Sequence, residues 1–488
     1  MIQIESLSVL YGSLAALKGI NLNVAPGECV LITGPSGCGK TALARAIGGL
    51  IPHAIPAKVE GKVTVDGLDV AVTPLPHLAQ RVGFVFQNPS TQLFHLSVAE
   101  EVAFGPRNLG LLECEIASRV EDTLKTLDLD YLKDRRPAEL SGGQQQRVAI
   151  AAALAMHPQV LILDEPAASL DVAGTHAIVN ALRELRKLGM TLVIIEHRLA
   201  EMLPLADRLI IMADGRIEAD APPQALTSDR NLLRSLGLRR PAEAISTPWD
   251  ELLIPNGHPR SERPLLQLQN IRAGYGRSKP ILKDINLDFY PGEFIALVGE
   301  NGAGKSTLGL VIAGLLKPSQ GQVRFDSRRP QPGLDVGLLF QNPTDQLFTE
   351  SVDEEVAFGP RNFRRYHPER HQEILNIADL TALRTRPPFA LSSGQQQRTA
   401  MSAVAALNPH LLILDEPTLG QDWGHLERLM DFLSKLNQRG TAILLITHDY
   451  KLVHHYARRV IMLHDGQVQL DGHLRSQGEN DKHEIYYS

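Results

Sequence analysis

The 488 residues hold only three cysteines, two tryptophans and 5% aromatic side chains. Cys29, Cys38 and Cys114 form no CxxC pair and no even framework, which argues against a disulfide scaffold and fits a reducing cytosol. Long apolar runs are also missing. No stretch reaches the roughly 18 consecutive apolar residues of a membrane-spanning helix, so work at a membrane would need other chains to cross it. The start, "MIQIESLSVLYG", lacks the basic-then-apolar layout of a secretory signal. Nor is there a strong charge of either sign. A net charge of −6 and a pI near 6.3 argue against a nucleic-acid footprint. The arginine pairs Arg328–Arg329 and Arg364–Arg365 are isolated and read as solvated surface. What is present, 43% hydrophobic and 21% charged residues, is the composition of a globular protein. The length exceeds one ordinary core and suggests two to four domains.

The chain repeats itself. "LKGINLNVAPGECVLITGPSGCGKTAL" (17–43) returns as "LKDINLDFYPGEFIALVGENGAGKSTL" (282–308), and "LSGGQQQRVAIAAALAMHPQVLILDEP" (140–166) as "LSSGQQQRTAMSAVAALNPHLLILDEP" (391–417). "QNPSTQLFHLSVAEEVAFGPRN" (87–108) and "QNPTDQLFTESVDEEVAFGPRN" (341–362) agree at seventeen of twenty-two positions. The spacing of Ser141 to Asp164 equals that of Ser392 to Asp415, and Asp164 to His197 equals Asp415 to His448. Constant spacing means that both halves fold alike, because a shifted register would misplace every later element. Prolines 241, 248, 255, 259 and 264 crowd the segment between the copies. That density blocks regular helix and sheet and favours an extended spacer. Domains are therefore expected over 1–236 and 265–488, with a linker over 237–264.

"CVLITG", "FIALVG", "VLILDE", "LLILDE", "TLVIIEH" and "AILLITH" are apolar without alternation and rich in branched residues. They predict strands of a mainly parallel sheet buried on both faces, hence an α/β fold. Two such strands lead into "GPSGCGKT" (Gly34, Pro35, Ser36, Gly37, Cys38, Gly39, Lys40, Thr41) and "GENGAGKS" (Gly299, Glu300, Asn301, Gly302, Ala303, Gly304, Lys305, Ser306). Both fit G-x4-G-K-[ST]: glycines let backbone N–H groups form an anion cradle at a helix N-terminus, the lysine reaches the phosphates, and the hydroxyl serves Mg²⁺. Twin matches at equivalent places in a repeat point to nucleotide binding. Asp164–Glu165 and Asp415–Glu416 end two further strands. The aspartate is placed to hold Mg²⁺ and the glutamate to orient or deprotonate the attacking water. His197 and His448 follow strands where they could meet the γ-phosphate. "LSGGQ" (Ser141, Gly142, Gly143, Gln144) and "LSSGQ" (Ser392, Ser393, Gly394, Gln395) open helical stretches; they offer an anion site or, more plainly, a helix cap. Cys38 lies beside a helix N-terminus, a position that lowers a thiol pKa, although a small filler is the simpler reading.

The order of P-loop, glutamine, LSGGQ, strand-DE and histidine resembles the ATP-binding cassette (ABC) family over nearly all of both halves. The resemblance implies two tandem P-loop ATPase domains, each with a helical subdomain, paired head to tail as an intramolecular pseudo-dimer in which each P-loop meets the other half's signature across ATP. It implies that Tyr11 and Tyr275 stack on adenine, that Gln87 and Gln341 meet Mg²⁺ and water, and that Thr307 contacts the nucleotide. On this pattern the site using the first P-loop departs from the family in three places: Ala42 stands where the other loop has Thr307, Ser393 replaces a signature glycine, and "TLGQD" (418–422) replaces the "AASLD" (167–171) form. That site is expected to turn over more slowly. Tethering raises the halves' effective concentration to roughly millimolar.

"FQNPSTQLFHLSVAEEVAFGPRNLGL", "GLIPH" and "GQD" are similar to the ATPases of energy-coupling-factor (ECF) importers of vitamins and metal ions. This implies a peripheral protein on the cytoplasmic face of the membrane, partnered by an integral-membrane coupling protein and a small substrate-binding membrane protein, with no nucleic acid. The repeated passage would then form one docking groove per half for a helix of the coupler. Tandem ATPases of monosaccharide importers share the two-half layout. Cassette ATPases acting on ribosomes or DNA tend to carry charged linkers, cysteine-ligated metal or basic extensions, and none is visible here.

Overall fold

The computed structural model describes residues 1–12, 14–167, 170, 172–197, 199–229, 232–233, 253–255, 263–276, 280–417, 423–447 and 449–474. The chain divides into two compact units, Met1–Ala244 and Ile245–Ser488.

The first unit is built on a six-stranded sheet. β1 (Ile2–Tyr11), β2 (Leu14–Val24), β4 (Lys58–Val65) and β5 (Leu68–Asp69) form a separate antiparallel sheet, in the order β2-β1-β4-β5. The main sheet runs β10-β9-β3-β8-β7-β6, from β3 (Cys29–Thr33), β6 (Val82–Val85), β7 (Val160–Asp164), β8 (Thr191–Ile195), β9 (Arg208–Ala213) and β10 (Arg216–Ala221). All its neighbours are parallel except the edge strand β10. The unalternating apolar runs are explained by the two cores. Val30, Ile32, Ile162, Val193 and Ile195 point to one face, where the helix Lys40–Ile47 and the antiparallel sheet cover them. Leu31, Leu161, Leu163, Leu192 and Ile194 point to the other, under the helices Gly142–Leu154 and Val172–Lys187. A strand covered on both sides has no position for a polar residue.

The second unit repeats the plan. β12 (Leu266–Ala273), β13 (Leu282–Phe289) and β15 (Gln320–Phe325) make its antiparallel sheet. β14 (Phe294–Val298), β16 (Val336–Leu339), β17 (Leu411–Asp415), β18 (Ala442–Ile446), β19 (Arg459–His464) and β20 (Gln467–Leu474) make its main one. The expected α/β class, with mainly parallel cores and helical segments, is what the fold is.

Two features differ from the sequence expectation. The first is the antiparallel sheet, whose apolar alternation is broken. β1 loses register between Ile4 and Leu7, with Ser6 at φ 48. Gly61 faces that bulge: a Cβ there would stand 2.4 Å from the Ser6 carbonyl oxygen, so the partner strand needs a glycine. Asn270 and Gly321 repeat the device.

The second is the proline-dense segment, which is not free of sheet. Leu253–Pro255 forms β11, antiparallel to Gly472–Leu474 of β20. Leu253 is buried against Ala296, Val298, Val453 and Val460. Proline is tolerated because β11 is an edge strand, where its missing N–H is not needed. Of the rest of 237–264, only Arg263 and Pro264 fall among the described residues.

Candidate functional site

Each phosphate loop leaves the centre of its sheet. β3 ends at Thr33, and Gly34 through Gly39 turn into the helix Lys40–Ile47; β14 ends at Val298, and Gly299 through Gly304 turn into Lys305–Ile312. Gly34 (φ 152) and Gly299 (φ 147) start the two turns, and a Cβ on either would collide with a carbonyl oxygen, of Met212 at 2.1 Å or Leu463 at 2.2 Å. Only glycine lets the chain bend there. Lys40 is buried, its Nζ donating to the carbonyls of Gly34 (2.8 Å) and Pro35 (3.0 Å). Lys305 donates likewise to Gly299 (2.7 Å) and Glu300 (2.9 Å). Both ammonium groups are thus held inside a ring of inward-turned backbone. Pro35, Ser36, Gly37, Asn301, Gly302 and Ala303 complete the loops. Cys38 is buried, and burial pushes its thiol pKa up against the opposing charge of Lys40. It is a filler here and not an activated thiol.

Behind the cradle in the first unit lies a carboxylate network. Thr41 Oγ1 donates to Asp164 Oδ1 at 3.3 Å. Gln87 Nε2 donates to Glu165 Oε2 at 2.8 Å, and His197 Nε2 stands 3.2 Å from Glu165 Oε1. Burial, and then the charge of Glu165, push Asp164 up to about 6. Burial also pushes Glu165 upward, but His197, with Lys40 and Gln87, more than offsets it and holds that carboxyl below its ordinary range. Glu165 is therefore the more readily ionised of the pair. Its backbone is strained, at φ 50, and Glu416 repeats this at φ 45. Such a conformation persists only where the surroundings impose it. Both amides are pinned to the neighbouring strand, Glu165 N to Ile195 O and Glu416 N to Ile446 O, each at 2.9 Å.

In the second unit fewer of the expected residues fall among the described ones. Ser306 bonds to Asp415, whose carboxyl is nonetheless raised by burial. Gln341 is exposed and makes no hydrogen bond to a described residue. His448 and the "TLGQD" segment lie outside the described residues, as do Ala168, Ser169 and Asp171 of the first unit. Ala42 and Thr307 are both buried in the helices that follow the cradles. Tyr11 ends β1 and is half-buried against the core; Tyr275, in the bend after β12, is 51% exposed.

The signatures are helix caps. Ser141 accepts from Gln144 N while Gln144 Oε1 accepts from Ser141 N, and Ser392 and Gln395 form the same reciprocal box. Gly142 and Gly143 open the first helix; Ser393 and Gly394 open the second, the side chain of Ser393 lying outside the described residues. A Cβ on Gly143 would come within 3.2 Å of Gly174 Cα, so the glycine admits close packing of two helices.

Sequence reasoning missed the scaffold of the repeated passage. Gln92 braces the segment after Gln87 by accepting from Phe86 N and donating to Phe84 O, and Gln346 does so for Phe340 and Leu338. Within each acidic pair the second carboxylate is buried: Glu101 accepts from the amides of Phe94 and His95, Glu355 from those of Phe348 and Thr349. These bonds turn aromatic rings outward. Phe94 (65% exposed) meets Phe104 edge-on at 5.1 Å, and Phe348 (59%) meets Phe358 at 4.7 Å. The identity of both glutamates between the copies was the available signal.

The ABC transporter family profile matches residues 17–168 and 282–419, one stretch in each unit. A Methanosarcina mazei protein described as an ABC transporter ATP-binding protein is 39% identical over 95% of this chain and 87% of its own length. A Lactiplantibacillus plantarum protein of the same description is 37% identical over 96% and 91%. The solved structure of cbiO1 from Clostridium perfringens, described as part of the ABC transporter complex cbiONQ, is 36% identical, with a TM-score of 0.43, covering 49% of this chain and 95% of that one. With two phosphate cradles, each backed by an Asp-Glu carboxylate pair, and family matches spanning both, the chain belongs to the ABC transporter family and is a tandem ATPase that binds and hydrolyses ATP.

Proposed function

We propose that this chain is the energy-coupling ATPase of an ECF-type importer of a vitamin or metal ion, peripheral to the cytoplasmic face of the membrane. The observation that carries the reading is the pair of outward-facing aromatic corners, Phe94/Phe104 and Phe348/Phe358, one per unit, each held by a buried glutamate within a passage that begins at Gln87 or Gln341. Exposed apolar corners of this kind suit the apolar face of a partner helix. One corner per unit suits two helices of one coupling protein. Among the described residues no helix is long and apolar enough to cross a membrane, so the transmembrane path belongs to partners.

In hydrolysis the chain's own residues divide the work. Lys40 and Lys305, with the loop amides, bind the phosphates. Glu165 and Glu416 orient the attacking water and take up its proton, and His197 and His448 face the transferred phosphoryl group. The signatures add N–H donors. The donor set also fits Mg²⁺: Thr41 with Asp164, and Ser306 with Asp415, whose buried Oδ1 has no hydrogen-bond partner among the described residues. Gln87 and Gln341 would join them. The ion, when bound, would neutralise phosphate charge as the β–γ bond breaks.

Purification from native membranes tests the proposal. An integral-membrane coupler and a small vitamin- or metal-binding membrane protein are expected to travel with the chain. Phe94→Ser with Phe104→Ser, and Phe348→Ser with Phe358→Ser, should each weaken that association while ATP binding survives. Companions belonging to a sugar-receptor system, or ribosomes, would overturn it.

A further inference from the structure

Glu196 follows β8 and immediately precedes His197; the second unit has Thr447 there. The carboxylate is 1% exposed. Its Oε1 accepts from the backbone N–H of His197 at 2.8 Å and its Oε2 from that of Ala167 at 3.3 Å. Removing a carboxylate from water is costly and is offset here by bonds to two amides, which are stronger for the acceptor's charge. Those amides belong to the two turns that carry the reacting groups: Ala167 lies two residues after Glu165, and His197 is the histidine that bonds it.

We propose that Glu196 is the positioning residue of the first unit's ATPase centre, a clamp that ties the Asp164–Glu165 turn to the His197 turn and so fixes the spacing of Glu165 and His197. The strained backbone at Glu165 needs such a hold. Its own amide is fixed to Ile195 O, and the Glu196 side chain fixes the chain two residues on. The second unit keeps the first of these pins, at Ile446 O, while its counterpart of Ala167, Thr418, lies outside the described residues. Thr447, shorter and uncharged, accepts from Asp449 N at 3.0 Å and caps its own turn. One side chain spans two turns in the first unit, whereas among the described residues the threonine side chain bonds only within its own turn.

The inference rests on the reading that Glu165 activates the attacking water, and a double-mutant cycle separates the two. In a Glu416→Gln background, where turnover reports the first unit's carboxylate, Glu196→Thr is expected to lower kcat about ten-fold, the scale of hydrogen bonds to a charged group. KM for ATP should stay within about two-fold, because the two bonds of the clamp go to the turns of Ala167 and His197 and not to the phosphate loop. Glu196→Gln keeps the volume and one acceptor and should fall between. With Glu165→Gln also present, Glu196→Thr should cause no further loss. An equal loss in both backgrounds, or a loss in KM alone, overturns the clamp. Amide exchange gives a readout independent of turnover: the N–H groups of Ala167 and His197 should exchange faster in Glu196→Thr while the cradle amides do not. Unchanged exchange at both would overturn the proposal even if turnover fell, and if Glu165→Gln in the Glu416→Gln background left turnover intact, it is the role of Glu165 that fails.

Discussion

At the scale of single residues, the site is a set of buried charges held where folding alone would not put them. Asp164 shows the cost. Its folded pKa of about 6 lies above the ordinary value of 3.8, so the ionised form is disfavoured in the folded state. Above that value the folded protein carries a penalty that the unfolded chain does not, and the penalty fades as pH falls below both values. Asp164→Asn is therefore expected to stabilise the nucleotide-free protein at pH 7.5 by about 3 kcal/mol, from roughly two pKa units at ~1.4 kcal/mol each. The gain should vanish near pH 4, and Mg²⁺-dependent ATP binding should be lost at every pH. Thermal melts at the two pH values check the sign, and destabilisation at pH 7.5 would contradict it. Stability and function oppose each other at this position. The grouping of Lys40, Thr41, Asp164 and Glu165 was legible in sequence because a short fixed pattern contains each. Glu196 was not, since nothing in "IIEHR" reveals that its carboxylate folds back onto Ala167, a residue 29 positions earlier.

At the scale of elements, the repeated passage is a rigid mount rather than a run of surface residues. Ser97 and Ser351 cap the helices Val98–Asn108 and Val352–Asn362 by accepting from Glu100 N and Glu354 N. The next glutamate turns inward to the preceding segment, so each helix start and each aromatic corner are one structure. Glu101→Ala would leave the amides of Phe94 and His95 without their acceptor, at an expected cost of about 1–3 kcal/mol in denaturant unfolding. Amide exchange at those two residues should rise, and ATP affinity of the isolated protein should hold, because the cradle is carried by β3 and its helix. An unchanged unfolding free energy would show that the corner does not depend on the glutamate. The sequence distinguished this passage by its duplication but could not tell the buried member of "EE" from the exposed one. Alternate burial there is set by the helix phase against the core. The bulged antiparallel strands escaped for a similar reason, as one inserted residue shifts the alternation on which a strand is recognised.

At the scale of the whole molecule, duplication has left two units with one plan and different details. Glu196 against Thr447, Ala42 against Thr307, and β11 present beside β20 show the second copy to be no replica of the first. Because Ala42 stands where the other loop has Thr307 and Ser393 replaces a signature glycine, Glu416→Gln is expected to remove most ATPase turnover and Glu165→Gln a smaller share, measured on the full chain under saturating ATP; equal losses would remove the asymmetry. By itself the sequence determined the repeat of two units, the central parallel strands and the ATP-binding motifs. Those follow from composition and spacing along the chain, which survive without coordinates. Only the tertiary structure decided that Gln87, Glu165, His197 and Glu196 share one network, that the signatures cap helices, and that part of a proline-rich connector completes a sheet. Each of these depends on which backbone groups are left unpaired once distant strands are side by side, a quantity that no local pattern records.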